Sequence, residues 1–179
     1  MIRGERVLLR PVHDDDVPFI HRWMNHPEIW RNMDYEHPFS LEEVREDVRR
    51  SRDDGVPLTI VVDGRPIGRI GLNQFRRRDR VAALYLYIGE PEFWGSGYAR
   101  ESVRTLLAYA FDRYDLWQVE LWLLGDNDKA MHVYEACGFV REARLRERSW
   151  KEGRWVDRVV MSVNRDEFTA ARGAAPDAP

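Results

Sequence analysis

The sequence predicts a single α/β domain of the α+β kind, with a mixed, mostly antiparallel sheet of about seven strands and about four flanking helices. Three observations predict it. β-rich runs flank Asp63-Gly64 and Glu152-Gly153, dipeptides that close tight hairpins and therefore antiparallel pairs. Other segments repeat apolar residues at spacings of three and four, the period of a helix with one buried face. The 179 residues suit one hydrophobic core, and 44% hydrophobic with 12% aromatic residues exclude a disordered chain.

The elements follow in order. Residues 7–9 form a first strand, and Asp14, Asp15 and Asp16 offer capping carboxylates to a helix carrying Val17, Ile20, Trp23 and Met24. Residues 26–39 are broken by Pro27 and Pro38 and read as irregular. Ser40 and Glu43 make a capping box for a charged helix to about Arg50, whose narrow stripe is Leu41, Val44 and Val48. Residues 58–62 and 67–72 pair across Asp63-Gly64. A polar turn at 76–80 precedes the long strand 81–88, which Gly89 and Pro91 end. Ala99, Val103, Leu106, Leu107, Ala110, Phe111 and Tyr114 mark a well-buried helix. Residues 119–124 are a fifth strand. Asn127 or Asp128 then caps a short helix with Ala130, Val133, Tyr134 and Cys137 on one face, and Gly138 stands as its C′ residue. Residues 139–150 and 155–163 close the sheet as a hairpin. Residues 1–168 form the domain, and the small, proline-bearing stretch 169–179 reads as a tail.

Composition removes several function classes. Lys and Arg number 28 against 31 Asp and Glu, a net charge of −3, so the basic excess of a nucleic-acid or membrane-surface binder is missing. The one basic turn, Arg76 to Arg80, lacks stacking aromatics and reads as a solvated hairpin loop. No run approaches 18 apolar residues. A lone cysteine, Cys137, excludes an intramolecular disulfide and a cysteine-rich zinc site, and no metal is expected. With no secretory signal pattern at the start, the expected location is the cytoplasm.

Two segments carry chemistry. In Phe93-Trp94-Gly95-Ser96-Gly97-Tyr98-Ala99-Arg100 a strand has just ended and a glycine turn opens a helix. Small residues at 95, 97 and 99 let a ligand approach the backbone, whose free N–H groups and positive helix end suit a diphosphate. Arg100 replaces the last glycine of a dinucleotide fingerprint, and the Gly-Lys-Ser/Thr of a P-loop is missing. The second segment is Asn127-Asp128-Lys129-Ala130-Met131-His132-Val133-Tyr134-Glu135-Ala136-Cys137-Gly138-Phe139.

Together these segments resemble the GNAT superfamily of N-acetyltransferases. The second is similar to its Asn-x-x-Ala/Ser-x-x-x-Tyr-Glu-x-x-Gly-Phe helix. In the first, Gly97 and Ala99 match the superfamily's glycine loop while Trp94 stands where Gln or Arg is frequent. That version resembles the branch of Rim-type ribosomal-protein and spermidine acetyltransferases, as do the opening Leu9-Arg10-Pro11 with Asp16 and the closing Glu152-Gly153-Arg154-Trp155. The resemblance implies a sheet that splays between its fourth and fifth strands. It implies acetyl-CoA as co-substrate, with pantetheine on the backbone of Leu86, Tyr87 and Ile88, the diphosphate on the backbone N–H groups of Gly95, Ser96, Gly97, Tyr98, Ala99 and Arg100, and Trp94 also at the coenzyme. Asn127 and Lys129 would lie along the coenzyme.

Acyl transfer from a thioester to an amine needs a neutral amine, an oxyanion site and a proton for the thiolate. An alkyl amine of pKa about 10.4 is protonated at neutral pH, so a base or water must take its proton. The resemblance nominates the Ile88 N–H for the oxyanion and Tyr134 as general acid in a direct attack through a tetrahedral intermediate. Ala83 stands where related enzymes carry a glutamate base. Glu90 and Glu120 are the nearest substitutes, with Glu28, Asp34, Glu36, His26 and His37 further candidates. The acids of residues 14–47 point to a cationic acceptor, a protein N-terminus or a small amine, unless they only cap and solvate helices. The alternative is a catalytically weak acetyl-CoA-binding or sensing module. The chain is expected as a monomer or homodimer, with the Trp150 to Trp155 hairpin available to a second copy.

Overall fold

A computed structural model of the protein describes residues 1–33 and 35–174. Its strands are β1 (Ile2–Arg3), β2 (Leu8–Pro11), β3 (Val56–Val62), β4 (Arg65–Arg76), β5 (Val81–Ile88), β6 (Gln118–Leu124), β7 (Val140–Lys151) and β8 (Arg154–Asn164). The helices are α1 (Val17–Met24), α2 (Pro27–Asn32), α3 (Leu41–Asp54), α4 (Tyr98–Arg113), α5 (Asp128–Glu135) and α6 (Arg165–Ala174). One eight-stranded sheet runs β1-β2-β3-β4-β5-β6-β8-β7. Every pair is antiparallel except β5 with β6, which is parallel and confined to Val81↔Gln118, Ala82↔Val119 and Ala83↔Glu120. The expected splay between the fourth and fifth predicted strands is this early end of the β5–β6 ladder.

Local chemistry accounts for most elements. Ser40 Oγ accepts from Glu43 N at 3.3 Å and Glu43 Oε2 from Ser40 N at 2.7 Å, the capping box that starts α3. Asp63 and Gly64 both take positive φ (48° and 78°), as do Glu152 and Gly153 (47° and 79°), so both hairpins turn through left-handed pairs. Three departures have clear reasons. The two-residue β1 is too short to leave a pattern. Pro27 does not break the chain but opens α2, because the first helical position needs no N–H. The stretch expected as a tail is helical through Ala174, anchored by buried Phe168 against Phe111; residues 175–179 lie outside the described residues.

The two faces of the sheet are covered unequally. Helices α4, α5 and α6 pack on one face of the whole sheet through Leu106, Leu107, Met131, Tyr134 and Phe168. On the other face α1, α2 and α3 form a second cluster of Ile20, Trp23, Ile29, Val44 and Val48 with Tyr87 of β5, and no residue of β6, β7 or β8 joins it.

Asp16 ties that second layer to the sheet. Its expected part in a helix cap, taken with the His13 N–H, is joined by a stronger role. The carboxylate, 2% exposed, accepts from both guanidinium nitrogens of Arg10 at 2.7 Å, from the His13 N–H at 2.9 Å and from Thr59 Oγ1 at 2.8 Å. Burial alone would raise its pKa, but these hydrogen bonds outweigh burial and hold it below the ordinary 3.8. Its stabilisation is therefore complete above about pH 3.8 and is lost as pH falls through the lower folded value. Removing it leaves Arg10 without its partner, so Asp16→Ala should reduce the unfolding free energy by about 3–5 kcal/mol at neutral pH. Urea titrations of both proteins check this, and the gap between them should narrow in acid.

Candidate active site

β5 supplies the first wall of the site. Gly89 N donates to Ile67 O at 2.7 Å, which fixes the alternation along the antiparallel ladder. The backbone groups of Tyr87 accordingly face β4, opposite Arg69, while those of Leu86 and Ile88 face the side that β6 has left. Of the three residues expected to hold pantetheine, Leu86 turns its N–H and C=O and Ile88 its N–H to the parted side, the Ile88 carbonyl being taken by the Trp94 indole; the Tyr87 backbone faces β4, and its side chain packs edge-on against Trp23 with ring centroids 6.3 Å apart.

The glycine turn supplies the second wall. Gly95 and Gly97 have φ of +73° and +84°, conformations that side chains disfavour, and no side chain caps the N-terminus of α4. A Cβ at Gly95 would meet nothing within 4 Å, so the turn is open to solvent. The first-turn N–H groups of Tyr98, Ala99 and Arg100 thus suit an anion. Arg6, which sequence reasoning missed, reaches this turn from the loop after β1. Its guanidinium donates to Ser96 O at 3.1 Å and to Glu101 Oε2 at 2.9 Å, and lies 4.7 Å from the centre of the Tyr98 ring. Glu101 Oε1 also accepts from the N–H groups of Arg6 and Val7, at 2.6 and 3.0 Å. Trp94 packs with the α1–α3 cluster and donates its indole N–H to Ile88 O at 2.9 Å, clamping the turn to the strand end.

α5 supplies the third wall. Asn127 is its N-cap, Oδ1 accepting from Ala130 N at 3.2 Å, which leaves the amide NH2 available. Lys129 and Arg100 are exposed, with no side-chain partner among the described residues. Tyr134 is 7% exposed, stacks against Phe139 at 5.5 Å, and makes no hydrogen bond at its hydroxyl among the described residues. Burial pushes its phenol far above the ordinary value of 10, so it remains a proton donor at neutral pH. Burial also raises the Cys137 thiol to about 11, which fits packing and not nucleophilic attack.

Both expected base substitutes are given to arginines. Glu90, 6% exposed, receives Arg22 and the Trp23 indole N–H on one oxygen and Arg65 on the other, the last two at 2.9 and 3.1 Å. It joins α1, β4 and the end of β5. A Cβ on the adjoining Gly89 would stand 2.1 Å from the Trp23 ring, so glycine there permits this close seat. Glu120 is paired with Ala83 where the strands are still joined. Both its oxygens accept from Arg76 at 2.8 Å, which lowers its pKa against a smaller effect of burial. Ile88 is five residues beyond Ala83, roughly 17 Å along the strand, so Glu120 is remote from it. Elsewhere, the acids 14, 16 and 47 are bound by Arg52, Arg10 and Arg69. Glu28 and Glu36 are exposed without ion pairs among the described residues, and Asp34 lies outside them. His37 Nδ1 lies 3.1 Å from Pro38 O, and the buried His26 Nδ1 has no partner among the described residues. No cluster of metal ligands occurs among the described residues.

A bulky residue at Gly97 would be strained by its φ and would press on Arg6 Nη2, 3.2 Å from a Cβ there. Gly97→Val should remove most of the melting-temperature rise that CoA confers, which follows RT ln(1 + [L]/Kd). An unchanged rise would mean that the coenzyme does not use this turn.

A profile of the acetyltransferase (GNAT) domain matches residues 6–140. Spermidine N(1)-acetyltransferase of Vibrio cholerae is 31% identical over 170 residues, covering 92% of this chain and 96% of that protein. Alpha/beta-tubulin-N-acetyltransferase 9 of Drosophila melanogaster is 30% identical over 163 residues, 80% of each. Among solved structures, the spermidine N-acetyltransferase of Vibrio cholerae in complex with CoA and spermine superposes with a TM-score of 0.85 at 28% identity, over 93% of this chain and 99% of that one. The open strand edge, the uncapped glycine turn and the Asn127–Tyr134 helix thus accompany a match over most of the chain, which belongs to the GNAT acetyltransferase family and is an acetyl-CoA-dependent enzyme.

Proposed function

We propose that the enzyme acetylates a primary amine, a small cationic amine or a protein N-terminus, by direct attack on the thioester through a tetrahedral intermediate. The observation that carries this reading is the backbone edge of Leu86 and Ile88, unpaired by β6. Acetyl-CoA supplies the activated acetyl group. The Ile88 N–H stabilises the developing oxyanion, a fixed dipole in a partly water-excluded cleft. Tyr134 gives its phenolic proton to the departing sulfur. The Leu86 backbone holds a pantetheine amide, the N–H groups from Gly95 to Arg100 hold the diphosphate, and Asn127 and Lys129 flank the arm.

With Glu90 and Glu120 committed to guanidinium groups, the amine loses its proton to solvent water. The Arg76 hydrogen bonds lower the Glu120 pKa and make it a weaker base than a free carboxylate, because protonation breaks the ion pair. The acceptor types are supported by the relatives' names, spermidine in one case and tubulin in another.

Two measurements test this. Tyr134→Phe should reduce kcat by about 10²- to 10⁴-fold while KM for acetyl-CoA changes little, the range for loss of a positioned general acid. A kcat unchanged across the pH range would remove Tyr134 from the reaction. If proton loss is to water, Glu120→Gln should retain near-wild-type activity when its fold is intact; loss of all turnover in that folded variant would restore Glu120 as base.

A further inference from the structure

We infer that Arg6 belongs to the coenzyme site, where the free end of its guanidinium takes an oxygen of the diphosphate; this rests on the reading of the glycine turn as the diphosphate site. Contacts bring it there. Nη1 donates to Ser96 O at 3.1 Å, Nη2 lies 3.2 Å from where a Cβ at Gly97 would stand, and the guanidinium carbon is 4.7 Å from the centre of the Tyr98 ring. Ser96, Gly97 and Tyr98 are all among the residues whose N–H groups are assigned to the diphosphate. Arg6 is therefore seated on the turn, although it precedes Ser96 by 90 residues in the chain.

The hydrogen bonds already made decide what remains. Nε is spent on Glu101 Oε2 at 2.9 Å and one Nη1 proton on Ser96 O, while Nη2 makes no hydrogen bond among the described residues. The other Nη donors stay available to an anion. Glu101 steadies the side chain without consuming it, because its Oε1 is taken by the backbone N–H groups of Arg6 and Val7 at 2.6 and 3.0 Å. Carboxylate, carbonyl and ring together fix the guanidinium beforehand, so little side-chain freedom is lost when a phosphate arrives. Arg100 and Lys129, exposed and without side-chain partners among the described residues, would first have to be ordered. The turn needs such a charge. Its N–H groups carry only the partial charge of a helix end, whereas a diphosphate carries a full negative charge on each phosphate. The Arg6 side chain is half-exposed, so salt can screen this attraction.

The test measures Kd by calorimetry for CoA and for 3′-dephospho-CoA, at low and high salt, with wild type, Arg6→Gln, Arg6→Lys and Gly97→Val. The expected result is that Arg6→Gln weakens both ligands equally, by about tenfold at low salt, and that the gap narrows at high salt. Arg6→Lys keeps the charge without the fork and should lose less. An unchanged Kd in Arg6→Gln would overturn the assignment. So would a loss confined to CoA, which would put Arg6 on the 3′-phosphate, or a loss of equal size at both salt concentrations, which would make Arg6 only a link between its loop and α4. Should Arg6→Gln fail to fold, the same readings are taken on Arg6→Lys. Weakened binding in Gly97→Val beside wild-type binding in Arg6→Gln would overturn the part of Arg6 and leave the turn standing. Wild-type binding in Gly97→Val would overturn the diphosphate reading of the turn itself.

Discussion

The parting of β5 from β6 after Ala83 and Glu120 is the constraint on which the rest of this structure depends. A sheet gains by continuing its ladder, and each backbone group left unpaired and buried costs about 1–3 kcal/mol. Leu86, and Ile88 through its N–H, carry unpaired groups at partly buried positions in the middle of the sheet. The fold tolerates them because each strand is satisfied on its outer side, β5 by β4 and β6 by β8 over its full length. The opening is thus a fixed shape, and a ligand with amides of its own restores what the sheet gave up.

The rims are held by groups from distant parts of the chain. At the end of β5, the Glu90 carboxylate gathers Arg22, Trp23 and Arg65, and the Trp94 indole grips the carbonyl of Ile88. At the joined end, Arg76 crosses over the small Ala83 to both oxygens of Glu120. The residue types that sequence reasoning treated as bases therefore act as fasteners. This is why the proposed chemistry falls to a backbone N–H and a tyrosine, groups whose use does not disturb the fastening. Unequal coverage of the sheet's faces adds a division of labour. One face, under α4 and α5, receives the glycine turn and the Tyr134 helix; the other is left half open over β6, β7 and β8.

What was legible in the sequence is what depends on neighbours in the chain. The Ser40–Glu43 capping box, the Asp63-Gly64 and Glu152-Gly153 turns, the glycine turn and the Asn127 cap are all set within a few residues, and all form. What was hidden depends on residues far apart. Arg6 meets Ser96 only because β1 and β2 bring it to the head of α4. Three of the acids read as an acceptor-facing cluster, Asp16, Asp14 and Asp47, are held by Arg10, Arg52 and Arg69, which no local pattern pairs with them. Trp94 and Tyr87 were assigned to the coenzyme because they sit inside the motif. The strand's alternation turns the Tyr87 backbone to β4, and the Trp94 indole reaches Ile88 O at the rim of the parted edge. α2 was lost because Pro27 looks the same at a helix start as at a break.

Amide hydrogen exchange at Leu86 and Ile88, with and without CoA, tests the open edge most directly. The account predicts fast exchange at both in the free protein, slow exchange at Tyr87 throughout because its N–H is bonded to β4, and strong protection of Leu86 and Ile88 once CoA is bound. Protection of Leu86 and Ile88 before CoA is added, or exchange there that CoA leaves unchanged, would contradict it.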